Sequence, residues 1–442
     1  MATTDPEREE RGTVTAETTP DIQAEESATA VPTAAPELMA GSLGEYARIW
    51  VQRVRSGESG ALPVILGLVV IVLFFQIKNS LFLSAGNLVN LLTQAAFIIT
   101  LAMAEVFVLL LGEIDLAAGY TAACGAVIAL WTLALGWPWW ASVLLALAAT
   151  AAYGALQGFI ITWLRLPSFV VTLAGFLGLS GVLLFLINAA GPYGVGGVIR
   201  LQSNIINDIE GGALSPAASW IVMIVAVALA GLAMFMRDRR RRVNGLVAPP
   251  VSITLLKIAV IAVAGVVVVL IGNTNRGSAL LAVSGLPWVV LVVLAVLVVY
   301  TVLLGRTRFG RYIYAIGGNA EAARRAGVNV NRIKVAAFAL CGLTAGITGI
   351  IYASYLGSIS SGVNGGQNVL NAVAAAVIGG TSLFGGRGKM LDAVLGGLVV
   401  GVIANGLQLL GLAADAQLMW TALVLLAAVT VDSLTRRGQR SR

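Results

Sequence analysis

The chain has 442 residues, of which 58% are hydrophobic and 11% charged, with a formal net charge of +7. A soluble domain carries about 25% charged residues, so the composition points to a membrane protein. No histidine is present, which excludes imidazole acid–base catalysis, histidine metal clusters and the Ser-His-Asp arrangement; no catalytic residue, metal site or cofactor is expected.

Residues 1 to about 40 hold nine acidic and two basic side chains and almost no large apolar ones. Such a segment cannot bury a core, and 1–45 reads as a disordered acidic tail on the cytoplasmic side. The first apolar run starts some 60 residues in, without the basic-then-apolar start of a secretory signal peptide. From there the apolar residues come in blocks of about 20, enough to cross about 30 Å of hydrocarbon at about 1.5 Å per residue. The blocks lack the period-two alternation of barrel strands, which leaves helices that pair their own backbone groups.

Twelve spans are predicted, at 61–77, 87–111, 116–136, 139–164, 168–188, 217–236, 251–272, 286–304, 334–356, 369–384, 391–411 and 417–434. The expected fold is an all-α polytopic membrane protein of about twelve transmembrane helices over 61–434, with both termini cytoplasmic and a basic tail at 435–442. The segment 369–384 is short and reads equally as re-entrant. With the N-terminus inside, 24 of the 28 basic residues fall in inside segments; only Lys78, Arg200 and Arg276 fall outside, and Lys257 lies within a span. That bias matches the positive-inside rule and accounts for the net charge without a nucleic-acid partner.

Several polar residues interrupt the spans. Asn90, Thr93 and Gln94 lie near the outer end of 87–111, and Glu105 lies in its middle. A carboxylate there costs on the order of 3 kcal/mol, so Glu105 faces the bundle interior or is protonated. Structural pairing, a pathway role and a proton-linked role all stand for it. Glu113 and Asp115 fall at the break before the next span, where Asp115 is expected to cap the following helix. The cysteines Cys124 and Cys341 sit among small apolar residues and read as core. Glycines four apart, Gly154 with Gly158, Gly342 with Gly346 and Gly397 with Gly401, mark close helix packing.

The inside loop 306–333 contains Asn319-Ala320-Glu321-Ala322-Ala323-Arg324-Arg325-Ala326-Gly327. An N-cap asparagine, an acid in the first turn, two arginines in the last and a terminal glycine predict a short helix. A helix so short is marginal in water and needs a partner surface. A final polar group, Asn364, Gln367, Asn368 and Asn371, opens the span that follows the last long outer loop.

Glu321-Ala322-Ala323 to Gly327 resembles the cytoplasmic signature of permeases of ATP-binding-cassette importers. The flanking stretches Arg306–Asn319 and Ala376–Gly388, with Leu109–Gly119 and Pro167–Leu173, resemble the monosaccharide permeases of the ribose and xylose type. The resemblance covers about 61–190 and 284–435, and the intervening 190–284, with its two extra spans, looks more like the longer xylose-type chains. It implies a bacterial plasma-membrane permease domain over 61–434, a second permease subunit, two cytoplasmic ATP-binding subunits and an external sugar-binding protein.

Glu321, Ala322, Ala323, Arg324, Arg325 and Gly327 would then form a coupling helix on the ATPase, with Arg311 beside them, and Asp115, Gly119, Gly379 and Gly380 would be structural motif positions. The family usually has a small residue where Glu105 stands and glycine where Glu113 stands. Sugar hydroxyls call for groups that donate and accept, so Asn90, Thr93, Gln94, Glu105, Asn364, Gln367, Asn368 and Asn371 are the pathway candidates, with the Asn368 and Asn371 face foremost. No phosphate-cradling loop of the P-loop type is found, so ATP hydrolysis is assigned to the partner. Two further readings remain open: a branched-chain amino-acid permease of the same superfamily, and an ion-coupled secondary transporter using Glu105.

Overall fold

Local chemistry sets most helix boundaries. In the computed structural model, four helices begin directly after a proline, at Pro138, Pro167, Pro250 and Pro287, where the missing N–H and fixed φ cost nothing. Others begin at a serine whose hydroxyl accepts a first-turn N–H, as Ser84 does from Asn87 and Ser215 from Ala218. The structure describes residues 62–277, 283–413 and 415–423, with Gly44, Arg48 and Leu426 besides. The tails 1–45 and 435–442 therefore lie outside the described residues, Gly44 apart, as does most of the expected span 417–434.

The elements are α1 (Leu62–Lys78), α2 (Ala85–Leu109), α3 (Ala118–Ala134), α4 (Trp139–Leu164), α5 (Ser168–Ala189), a 3-10 segment (Gly191–Gly197), β1 (Val198–Arg200), α6 (Asn204–Gly211), α7 (Pro216–Val243), α8 (Val251–Asn273), α9 (Trp288–Arg306), α10 (Arg308–Gly318), α11 (Ala320–Arg325), α12 (Val330–Leu356), β2 (Ser358–Ser360), α13 (Gly365–Gly379) and α14 (Met390–Leu409). Among the described residues, eight helices are long and apolar enough to cross a membrane, and α1 and α3 are shorter apolar helices. The molecule is an all-α polytopic membrane protein. The helix expected over 369–384 begins earlier, at Gly365, and ends at Gly379.

The bundle is organised around α2, whose apolar window is 83% buried, against 11% for each of α7 and α8. Helix α2 packs on α12, α13 and α14, and α12 packs in turn on α3 and α4. The pair α7 and α8 packs mainly on itself and presents most of its surface outward, as a peripheral hairpin. The glycines four apart act as the sequence predicts. A Cβ on Gly154 would overlap the Phe338 carbonyl oxygen, and one on Gly342 would overlap that of Thr150, so α4 and α12 meet backbone to backbone. Gly397 and Gly401 of α14 instead make room for the side chains of Ile99 and Ala95 of α2.

The segment 190–216, read from sequence as loop, is folded. Strand β1 pairs antiparallel with β2 in the register Val198 to Ser360, Ile199 to Ile359 and Arg200 to Ser358. Strands of three residues are too short for alternation to be read, and the pairing depends on a segment about 160 residues away. Helix α6 buries Ile206 and Glu210, four apart, against α12. Ser354 of α12 accepts the Glu210 N–H at 3.1 Å and donates to the Ile206 carbonyl at 2.6 Å.

Glu210 lies outside the membrane-spanning helices, and its carboxyl oxygens are buried without a partner. Burial pushes its carboxyl from 4.5 up to about 9. As pH rises from 4.5 the unfolded chain ionises while the docked helix does not, so docking loses stability up to about 9. Glu210→Gln, which cannot ionise, is expected to match the wild type at the acid end of that window. Towards its alkaline end the variant should hold α6 more tightly by about 1–3 kcal/mol, read as slower hydrogen exchange over residues 204–211.

Candidate functional site

Helix α11 forms as its sequence dictates. The Asn319 side chain accepts the Ala322 N–H at 2.9 Å. Glu321 pairs with Arg324 at 2.7 Å and with Arg325 at 3.4 Å. Gly327 takes a φ of +83°, and its N–H and that of Val328 bond the carbonyls of Arg324 and Ala323, which is the glycine-ended helix stop. Ala323 is buried, and Glu321, Ala322, Arg324 and Arg325 are exposed. The helix is therefore seated by one alanine and presents charge outward. Helix α10 before it buries Ile313 and Ile316 and exposes Arg311 and Tyr312.

The four sequence stretches that carried the resemblance, far apart in the chain, converge on the break between α2 and α3. Gly386 donates its N–H to the Leu110 carbonyl at 2.9 Å. A Cβ on Gly317 of α10 would overlap that same carbonyl oxygen, and Tyr314 donates its hydroxyl to the Gly388 carbonyl at 2.7 Å. Thr172 at the start of α5 donates to the Ile114 carbonyl at 3.2 Å. Gly112 supplies the left-handed turn with a φ of +75°, and the Glu113 carboxylate is bonded by Lys334 of α12. Basic residues gather at this end of the bundle.

Asp115 departs from the expected cap. The residue before the first turn of α3 is Ala117, and Asp115 accepts the Ala117 N–H at 3.0 Å, two residues on. This local turn closes on the N–H of the cap residue itself, from two positions before it. Gly119 and Gly379 are close-approach sites, where a Cβ would overlap the carbonyl oxygens of Gly365 and Asp392 respectively, and Gly380 has a φ of +123°.

The pathway candidates separate into two groups. On α2, Gln94 bonds Gln408 and Asn405 of α14 at 3.0 and 3.2 Å, and Thr93 bonds its own helix at the Asn90 carbonyl. Those two are structural ties. Asn90 is exposed. Asn364 caps α13 by accepting the Gln367 N–H, and Gln367 donates to Asn371 at 3.0 Å. Asn368 and Asn371 are half-buried, and the Asn368 amide faces the Tyr352 hydroxyl.

Beside them lies a ring cluster that sequence reasoning missed. Phe97 of α2 meets Tyr352 at 4.9 Å and Tyr355 at 6.5 Å between ring centroids, and all three rings are half-buried. Phe97 is seven residues beyond Asn90, hence on the same face of α2, and that spacing was the available signal. Glu105 stands apart from this face, fully enclosed near Asp115 and Cys341.

An enclosed bundle built around one buried helix, with an uncharged polar face at one end and a short charged helix presented at the other, is a multi-pass membrane transport subunit. The chain belongs to the family described as branched-chain amino acid transport system / permease component, whose model matches residues 87–429. It is 35% identical over 377 residues to the xylose transport system permease protein of Escherichia coli strain K12, covering 85% of this chain and 92% of that protein. The protein of the same description from Haemophilus influenzae is 33% identical over 380 residues, 85% of this chain and 96% of that one. The ribose import permease protein of Escherichia coli strain K12 is 28% identical over 388 residues, 88% of this chain and 96% of that one. No solved structure matches the chain. The likenesses and the apolar helices together place it in the bacterial inner membrane as a multi-pass protein.

The Glu113–Lys334 pair, with side chains 16% and 22% exposed, ties the break to α12. Lys334→Met leaves the Glu113 carboxylate without its cation and is expected to cost about 1–3 kcal/mol of stability. Adding Glu113→Gln should restore much of that loss in thermal melts of the purified protein.

Proposed function

We infer that this chain is the permease subunit of an ATP-binding-cassette importer and forms the membrane path for a monosaccharide, xylose or a similar pentose or hexose. The observation that carries the reading is the likeness over more than nine-tenths of the length of xylose and ribose permeases. The geometry supports it. The residues proposed to line the path, Asn90, Asn364, Gln367, Asn368 and Asn371 with Tyr352 and Tyr355, carry no charge. Amides and hydroxyls suit a neutral polyol, and ring faces suit its C–H surface. A zwitterionic amino acid would call for charged partners, which weighs against the branched-chain substrate in the family's description.

The importer comprises two copies of this subunit, two cytoplasmic ATP-binding subunits and an external sugar-binding protein, with the basic end and both termini of the chain facing the cytoplasm. Helix α11 is its coupling helix, with Glu321, Ala322, Arg324, Arg325 and Gly327 on the ATPase side, Ala323 as its seat and Arg311 beside it. The exposed Phe384, in the turn against Gly112, adds an apolar contact. A pull on α11 reaches α10, whose backbone abuts Leu110 and Gly386, and so acts on the break of the central helix. This is a rigid-body switch giving alternating access.

Gly327→Pro, which cannot hold a positive φ, and Glu321→Lys, which repels both arginines, are expected to abolish ATP-driven uptake of labelled xylose in proteoliposomes. Both variants should insert at the wild-type level but lose the co-purifying ATPase subunit. Normal uptake by both would sink the coupling role. Uptake that survives ATP depletion and collapses with the proton gradient would favour a secondary transporter instead.

A further inference from the structure

Two carboxyl groups that the proposed sugar path does not use lie inside the bundle. Glu105 is fully enclosed, and neither of its oxygens has a hydrogen-bond partner. Asp115, 1% exposed, is the acidic group that faces it. Asp115 receives the Ala117 N–H at 3.0 Å, the Gln157 amide at 3.5 Å and the Cys341 thiol at 3.6 Å. Those contacts use the donors at hand. Gln157, itself 2% exposed, turns its nitrogen to Asp115 and leaves its own oxygen buried without a partner. Both Glu105 oxygens and the Gln157 oxygen are thus buried acceptors without a hydrogen bond, and the donor that faces Glu105 is the Asp115 backbone N–H.

The surrounding helices do not supply a cation. From α12, Cys341 faces both carboxyl groups. From α4, Tyr153 faces Asp115. From α9, Tyr300 shares its hydroxyl with Thr344 at 2.7 Å and turns its ring to Phe107. Among the described residues no lysine or arginine faces Glu105, and Lys334 is held by Glu113. Two facing carboxylates sealed from water without a counter-ion are mutually repulsive and poorly solvated. One added proton relieves both faults, because it removes a charge and gives Glu105 a donor to turn towards the facing Asp115 carboxylate.

We propose that Glu105 binds one exchangeable proton in a site completed by Asp115, and that the proton exchanges with the basic end of the bundle. The way out is close in the chain: Glu113 donates its N–H to the Val108 carbonyl, one turn beyond Glu105, and it keeps partial solvent contact with Lys334. The consequence for transport rests on the importer reading: ATP-driven uptake then depends on the pH at the cytoplasmic side through this one group.

Infrared difference spectra of the complete permease–ATPase complex in lipid vesicles, recorded across exchange from water into heavy water, test the proposal. A carboxylic-acid C=O band that shifts on deuteration is expected at neutral pH and should be lost in the isosteric Glu105→Gln. Glu210→Gln should leave that band in place. The uptake rate of the wild type should change with inner pH, and that limb of the profile should flatten in Glu105→Gln. If Glu105→Gln fails to insert, the wild-type band itself is titrated and assigned by isotope labelling of glutamate. A Glu105→Gln spectrum identical to wild type overturns the proposal, as does a site that takes up sodium in place of the proton. The spectral readout needs no sugar, so a failed importer reading leaves it standing, and a failed proton leaves the importer intact.

Discussion

A chain that leaves the helical state where it is packed inside a bundle must find partners for the backbone groups it frees, because neither lipid nor an apolar interior offers them. The rest of this structure follows from how that demand is met at the break from Leu110 to Ala117, between the most enclosed helix and its successor. Within the break, the N–H groups of Gly112 and Glu113 turn back onto the Leu109 and Val108 carbonyls. Outside partners complete it: the Gly386 N–H on the Leu110 carbonyl and the Thr172 hydroxyl on the Ile114 carbonyl. Each outside partner comes from a different stretch of chain. The break is therefore a junction where α5, α10 and the turn before α14 are forced together, and movement of one cannot leave the others unpaired.

That junction explains which parts of the molecule were legible in the sequence. The spans were readable because apolar length alone specifies a helix in lipid, and α11 was readable because cap, charge order and terminal glycine are all local. The glycine pairs of α4 and α12 were readable as packing because only small residues allow such approach. The junction was not readable. Arg306–Asn319, Ala376–Gly388, Leu109–Gly119 and Pro167–Leu173 stand out one by one as motifs, yet nothing local states that Gly317 and Gly386 both abut Leu110. Paired strands of three residues and a ring cluster drawn from α2 and α12 are hidden for the same reason, since they are properties of contacts between distant segments. Asp115 shows the limit at smaller scale: its residue type announced a local backbone bond, but which N–H it takes, that of Ala117 instead of one inside the first turn of α3, depends on where the helix starts.

The peripheral α7–α8 hairpin has a different logic. Its helices are both strongly apolar, yet little of either is enclosed, so their composition answers to lipid more than to the bundle. Asp238, which would be costly in that setting, is buried and bonded by Thr254 at 2.7 Å and by Arg237 at 3.3 Å. This is the region where the sequence departs from the shorter ribose-type pattern. A pair of helices that packs mainly on itself can be added to a transport bundle without disturbing the contacts through which the break is held.

Charge is distributed accordingly. The exposed arginines of α10 and α11 and the Glu113–Lys334 pair lie at the basic end, where water or a partner protein screens them. The face formed by Asn368, Asn371, Tyr352 and Tyr355 is uncharged, so a neutral solute can pass it without meeting a deep electrostatic well. A path that must release what it receives benefits from weak, exchangeable hydrogen bonds of about 1 kcal/mol net each, and tight recognition there would slow release. What this chain contributes is a hydrogen-bonded break held by α5, α10 and the turn before α14. Glu105 is the exception to that pattern, a fully enclosed carboxyl group beside the break itself, and its position on the most enclosed helix means that any change in its charge is felt directly by the contacts that hold the bundle together.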